Sequence, residues 1–138
     1  MTVVFDTNTI VRVIFWPRST DRRALAGLAR RRFRAAVSAF LYDEYERVTR
    51  ALQRERFPAI HPDGALAWLR LKCSWVEPAP LGKARSRDPK DDPILATAVP
   101  ARAAYLVAGD RDLLDLGKPF GIAIMTPAEL LCRMEAGH

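Results

Sequence analysis

Four carboxylates stand where an acid needs a physical reason. Asp6 ends the apolar run Val3-Val4-Phe5 and opens the polar stretch Asp6-Thr7-Asn8-Thr9. Glu44 lies among Leu41, Tyr45, Val48 and Leu52, which recur at helical spacing. At about 100° per residue it falls about 40° from Val48 and about 60° from Leu41, on the border of the buried face. Asp43 and Glu46 point elsewhere. Asp92 follows Asp91, a suitable N-cap, and precedes Pro93, which a first helical turn tolerates. It shares a face with Leu95, Ala96 and Val99, so its carboxylate is aimed at the core. Asp110 follows Tyr105-Leu106-Val107 through Ala108-Gly109, where the glycine permits a tight turn or the close approach of a ligand. Asp112 comes two residues later.

Each acid has a plainer explanation when taken alone. Asp6 suits the N-cap of a following helix, Glu44 could pair with a nearby arginine, and Asp91 suits the positive end of a helix dipole. Asp110 could sit in a turn or cap a helix. Taken together, Asp6, Glu44, Asp92 and Asp110 fall at one rim of one sheet, where four partly desolvated carboxylates repel one another. A divalent cation resolves the conflict. Oxygen donors without His or Cys fit a hard ion, Mg²⁺ or Mn²⁺, one or two per site. Zinc is disfavoured, because His61 and His138 have no ligand spacing to each other or to a cysteine. Such a centre activates water and offsets charge on a pentavalent phosphate.

The elements that must position these acids are legible as alternating patterns. Short apolar runs at 3–5, 35–37, 74–76, 105–107 and 122–125 are bounded by turn or charged residues and do not alternate strictly, as expected of strands buried on both faces of a parallel sheet. Helices are expected at 9–15, 20–33, 39–54, 62–73, 91–103 and 127–135, with Pro100 imposing a kink or an early end on the fifth. The fold class that follows is α/β, a three-layer α/β/α arrangement around a central, mainly parallel sheet of about five strands. In such a sheet ligands bind beyond the carboxyl ends of the strands, where strand order reverses. Asp6 and Asp110 follow strands directly.

The 138 residues, 49% of them hydrophobic, suit a single domain spanning 1–138. No apolar run is long enough for a bilayer span. Residues 1–10 show no secretory signal pattern, and Cys73 and Cys132 lack metal spacing, so reduced thiols and a cytoplasmic protein are expected. The net charge of +6 is unevenly distributed. Residues 12–56 hold twelve arginines against five acids, while the rest of the chain is close to neutral. A face that binds a polyanion is one reading, and a well-solvated helical surface is the other. Apolar residues around Ile10, Ile14 and Trp16 suit either an interface with a second copy or, more simply, the core.

These residues resemble PIN domains, and within them the single-domain toxins of prokaryotic toxin–antitoxin pairs related to VapC. The stretches that carry the resemblance are VVFDTNTIV at 3–11, VSAFLYDEYERV at 37–48, RDPKDDPILATAV at 87–99, YLVAGDRDLL at 105–114 and IAIMTPAELL at 122–131. The resemblance implies a PIN-like fold whose four acids fall on Asp6, Glu44, Asp92 and Asp110, with Asp112 as an additional ligand or a group that supports one. It places Thr7 and Asn8 as polar residues after the first acid, Asn8 orienting Asp6 by a hydrogen bond, and Ser38 as the small polar residue after the second strand. It further implies a Mg²⁺- or Mn²⁺-dependent ribonuclease, a homodimer and inhibition by a cognate antitoxin protein. Ala108 departs from the family, which often has Thr or Ser there.

The leading expectation is a metal-dependent endoribonuclease toxin. Arg22, Arg23, Arg30, Arg31, Arg32 and Arg34 are expected to hold RNA phosphates as a group, with a salt-dependent affinity. A phosphatase with an aspartate nucleophile would need a second aspartate where this chain has Asn8. The remaining alternative is a catalytically inactive PIN-type module that binds RNA or a partner protein.

Overall fold

The computed structural model describes residues 1–78, 92–109, 111–116 and 118–136, with the side chains of Asp92, Pro93, Arg111 and Asp112 outside that description. Its centre is β1 (Thr2–Phe5), whose Val3, Val4 and Phe5 are all buried. A β-branched and aromatic run of this kind fits a strand covered on both faces. On one side β1 pairs with β2 (Arg34–Val37), which pairs in turn with the two-residue β3 (Ser74–Trp75). On the other side β1 pairs with β4 (Tyr105–Val107), and β4 with β5 (Ala123–Met125). All four pairings are parallel, giving the order β3-β2-β1-β4-β5. The short, exposed β3 leaves little free ladder at its edge, which blunts edge-to-edge pairing.

The helices are α1 (Thr7–Phe15), α2 (Thr20–Ala29), α3 (Ala39–Arg56), α4 (Asp63–Lys72), α5 (Asp92–Ala98), α6 (Arg111–Leu114) and α7 (Pro127–Glu135). They flank the sheet in three layers, as the alternating pattern predicts. Strand order reverses once: the chain lays down β1, β2 and β3 in one direction, then returns to the free side of β1 for β4 and β5. The crevice expected in such a sheet therefore opens between the carboxyl ends of β1 and β4. Asp6 directly follows β1, and Ala108-Gly109 directly follow β4.

Several boundaries differ from the sequence expectation for identifiable reasons. Helix α1 begins two residues early because Asp6 caps it, accepting the Thr9 N–H. Helix α2 stops at Ala29 rather than at residue 33. Arg31 takes a left-handed φ of 58°, while the N–H groups of Arg31 and Arg32 return to the carbonyls of Leu28 and Gly27. These two bonds close the helix in the Schellman manner with arginine where glycine is usual. Helix α5 ends at Ala98, in keeping with Pro100, and a second closure of the same kind uses Arg102 at φ 53°. Residues 79–91, including Asp91, lie outside the described residues. Helix α6 was not expected, since four residues are too short to show a period.

The core is continuous from Ile10 of α1 and Leu41 and Tyr45 of α3 to Leu95 of α5 and Leu130 of α7. Ile10 and Ile14 are buried in it, so the simpler reading of that apolar surface holds for them, whereas Trp16 is 41% exposed. Cys73 is buried and Cys132 exposed, both free. Burial pushes the Cys73 thiol up to about 12, which removes it as a nucleophile at neutral pH. No helix among the described residues is long and apolar enough to cross a membrane.

Candidate active site

Asp6 leaves β1 with an extended backbone and is only 6% exposed. Its N–H continues the ladder to the Val107 carbonyl at 2.9 Å. Its carboxylate accepts the Thr9 N–H at 2.8 Å, and the Thr9 hydroxyl and the Gly109 N–H also stabilise its charge. Burial nevertheless raises its pKa above the usual carboxylate value, with a further push from Asp21. Capping and a place in the crevice are thus compatible for this residue. Among the described residues no lysine or arginine forms an ion pair with it.

Glu44, half-buried, reaches the same rim from α3. The Thr7 hydroxyl donates to its Oε2 at 2.8 Å. The arginine partner considered for Glu44 is not found among the described residues, whose two ion pairs join Arg23 to Glu135 and Arg50 to Asp63. Tyr45 fixes the height of α3 over the sheet: its buried hydroxyl donates to the Phe5 carbonyl, one residue before Asp6. Burial, then the charges of Cys73, Asp6 and Glu44, hold that hydroxyl protonated.

Ser38, fully buried, caps α3 by accepting the Leu41 N–H and shares a 2.7 Å hydrogen bond with the Thr97 hydroxyl. It thereby ties α3 to α5, the helix that Asp92 opens. The side chains of Asp92 and Asp112 and the whole of Asp110 lie outside the described residues. One expectation is corrected here: Asn8 is exposed and makes no hydrogen bond to Asp6, because Thr9 occupies the orienting role from the next residue of the same turn.

The structure does not bring the six arginines to this rim as a group. Arg34 opens β2 and bonds to the Met1 carbonyl, so Arg34 and the Arg30–Arg32 turn before it sit at the amino end of the sheet, opposite Asp6. Arg32 is further engaged by the Met134 carbonyl, and Arg23 by Glu135. Arg22 lines a separate cavity with Val13, Ile14, His61 and Trp68.

Two residues at the rim escape the sequence reading. Asp21, in the first turn of α2, is 6% exposed and its Oδ2 has no hydrogen-bond partner among the described residues. Burial raises its pKa and the Arg12 guanidinium draws it back down. Its spacing to Ala24, Leu25 and Leu28 was the signal, the same argument that turns Asp92 inward. Arg12 itself lies over Gly109, with Nη1 3.5 Å from the place a β-carbon would occupy there.

The donor set at the rim is chemically suited to a hard divalent cation. Asp6 and Glu44 supply carboxylate oxygens, and among the described residues the buried Asp6 has no ion-pair partner and Asp21 Oδ2 no hydrogen-bond partner. No group of three or more potential metal ligands occurs among the described residues.

A sequence model of the PIN domain matches residues 2–112. Among solved structures, the crystal structure of PAE2754 from Pyrobaculum aerophilum is similar, with a TM-score of 0.64 over 99% of this chain and 90% of that one, at 20% identity. That likeness concerns the fold. No curated protein matches the sequence.

Proposed function

The chain belongs to the PIN domain family, and from that premise we propose that it is a Mg²⁺- or Mn²⁺-dependent endoribonuclease, the toxin of a toxin–antitoxin pair. The observation that supports this reading best is Asp6, a buried carboxylate with no ion-pair partner among the described residues, at the point where strand order reverses, with Glu44 reaching the same rim. Family membership supports a nuclease, and the resemblance to VapC-related chains supports the toxin role, a homodimer and an antitoxin partner.

Asp6 and Glu44 would hold the cation, joined by Asp92, Asp110 and, in support, Asp112 through their positions in the family pattern. A divalent cation held there would supply the polarisation of water and offset charge on phosphate oxygens. The chain's own residues do the rest. Thr9 and Gly109 hold the Asp6 carboxylate in one orientation, and the Thr7 hydroxyl fixes Glu44 through Oε2. Glu44 Oε1, with no partner among the described residues, would take a proton from the water whose oxygen bonds to phosphorus, while the P–O bond to the ribose breaks and the departing oxygen takes a proton from solvent. Ser38 and Tyr45 set the helices that carry these groups. The arginines at the opposite rim attract RNA over distance and stand outside the cutting centre.

The test incubates the purified protein with mixed RNAs, with and without Mg²⁺ or Mn²⁺, beside Asp6→Asn. Asparagine keeps a capping oxygen and loses the charge. Cleavage that needs the cation and is lost in Asp6→Asn supports the reading. Equal cleavage by both proteins, or cleavage indifferent to EDTA, sinks it, and binding without cleavage favours the inactive module.

A further inference from the structure

Next to the rim, α1 ends in a groove of about 550 Å³ lined by Arg12, Phe15, Trp16, Pro17, Arg18 and Ser19. Its aromatic wall is built in advance. The Phe57 ring stacks on Phe15 with centroids 4.9 Å apart, and Trp16 stands edge-on to Phe57 at 5.3 Å. The backbone beneath is fixed as well. The Trp16 N–H and the Ser19 hydroxyl both bond to the Arg12 carbonyl, and the Ser19 N–H bonds to the Trp16 carbonyl. With its edge contact made and its backbone held, Trp16 still exposes 41% of its surface. The exposed part of the indole thus stands in a groove between two arginines, a fixed apolar surface flanked by positive charge.

Charge and shape select the occupant. A wall of aromatic carbon accepts any flat π-face, while Arg12 and Arg18 favour a phosphate on either side of it, a combination that single-stranded nucleic acids satisfy and duplexes do not. The groove also connects to the acids. Arg12, one of its walls, is the same residue whose guanidinium lies over Gly109, and Gly109 donates to Asp6. The charge of Arg12 also reaches the buried Asp21 in the first turn of α2.

We propose that this groove is a nucleotide subsite: an unpaired RNA base stacks on Trp16, and the phosphate between that base and the scissile position is held by Arg12. The proposal rests on the nuclease reading and supplies its substrate form, a single-stranded segment next to the cut. It gives α1 two jobs, since Asp6 caps its first turn and Trp16 closes its last.

The test reads binding rather than turnover. In the Asp6→Asn protein, with EDTA present and salt fixed, the dissociation constant is measured for a labelled single-stranded RNA of about ten nucleotides and for its duplex. Trp16→Ala weakens the single strand about tenfold, the size of one stacked base, and leaves the duplex unchanged. Trp16→Phe keeps most of the affinity. Trp75→Ala is the control: that indole is equally exposed but packs on Tyr42 at the β3 edge. An abasic nucleotide at one position of the single strand lowers affinity by the same factor and abolishes the effect of Trp16→Ala. Should Trp16→Ala fail to fold, the abasic series on the parent protein and on Trp16→Phe decides. Unchanged affinity in Trp16→Ala, equal loss on the duplex, or a change in oligomeric state in place of RNA affinity overturns the subsite. Because neither metal nor cleavage enters the readout, a missing nuclease activity and a missing subsite are separate results.

Discussion

The Thr7 hydroxyl donates to Glu44 Oε2 across 37 positions of sequence, at 2.8 Å, and so links the first turn of α1 to the inner border of α3. Thr7 is the residue after Asp6, which means that one acid of the rim is oriented by the neighbour of the other. Thr7→Val keeps the shape and removes the donor. We expect a loss of about tenfold in single-turnover cleavage with little change in RNA affinity, and a cost of about 1 kcal/mol in stability. Thr7→Ser should recover the rate. Unchanged cleavage by Thr7→Val would show that Glu44 needs no orientation.

Tyr45 tests whether the height of α3 matters. Removing its hydroxyl leaves the Phe5 carbonyl buried and unpaired, at a cost of about 1–3 kcal/mol. Urea denaturation of Tyr45→Phe should show a lowered midpoint with an unchanged slope. An unchanged midpoint would mean that water replaces the hydroxyl.

Asp6 and Glu44 could be read from sequence because each breaks a local rule, an acid after a fully apolar strand and an acid on the border of an apolar stripe. Asp21 breaks the same rule, yet it hides in the arginine-rich segment, where every acid looks like a salt-bridge partner. The orienting role expected of Asn8 belongs to Thr9, since which residue of a helical turn faces its cap depends on the entry angle of the chain. The position of Arg30–Arg34 was in principle legible: residues that precede a strand of a parallel sheet sit at its amino end, away from residues that follow one. What composition concealed was that the positive charge and the acids are largely on opposite rims. The groove beside Trp16 had no such signal, because the Phe57 ring that packs on Phe15 and Trp16 arrives from the far end of α3.

The raised pKa of Asp6 has a sign that calorimetry can read. Between its unfolded value of 3.8 and its higher folded value, the folded state binds the proton more tightly, so stability of the metal-free protein falls as pH rises through that window. Asp21 contributes in the same direction. Asp6→Asn removes its own share, so at neutral pH the metal-free variant should melt higher than the parent. Mn²⁺ should raise the melting temperature of the parent and leave the variant nearly unmoved. A parent that melts above Asp6→Asn at neutral pH without metal would show that Asp6 is already compensated in the folded chain.

Gly27 sets how closely α2 approaches α7. A β-carbon there would lie 2.5 Å from the Met134 sulfur and 2.6 Å from Phe33 Cε1, well inside contact distance. Helix propensity alone would make Gly27→Ala stabilising by about 1 kcal/mol, and overpacking of this kind typically costs about 1–3 kcal/mol. The two effects oppose each other, and the short contacts decide for a net loss, because the Phe33 ring is itself wedged against Phe5 with centroids 5.8 Å apart. The double variant Gly27→Ala/Met134→Ala relieves only the sulfur contact, so it should not recover the parent's stability. Because Phe5 is the residue before Asp6, a ring displaced by Gly27→Ala should also lower cleavage per folded molecule. Denaturation midpoints and active-site-normalised rates separate the two consequences, and a midpoint above that of the parent would show that α2 and α7 can part without strain.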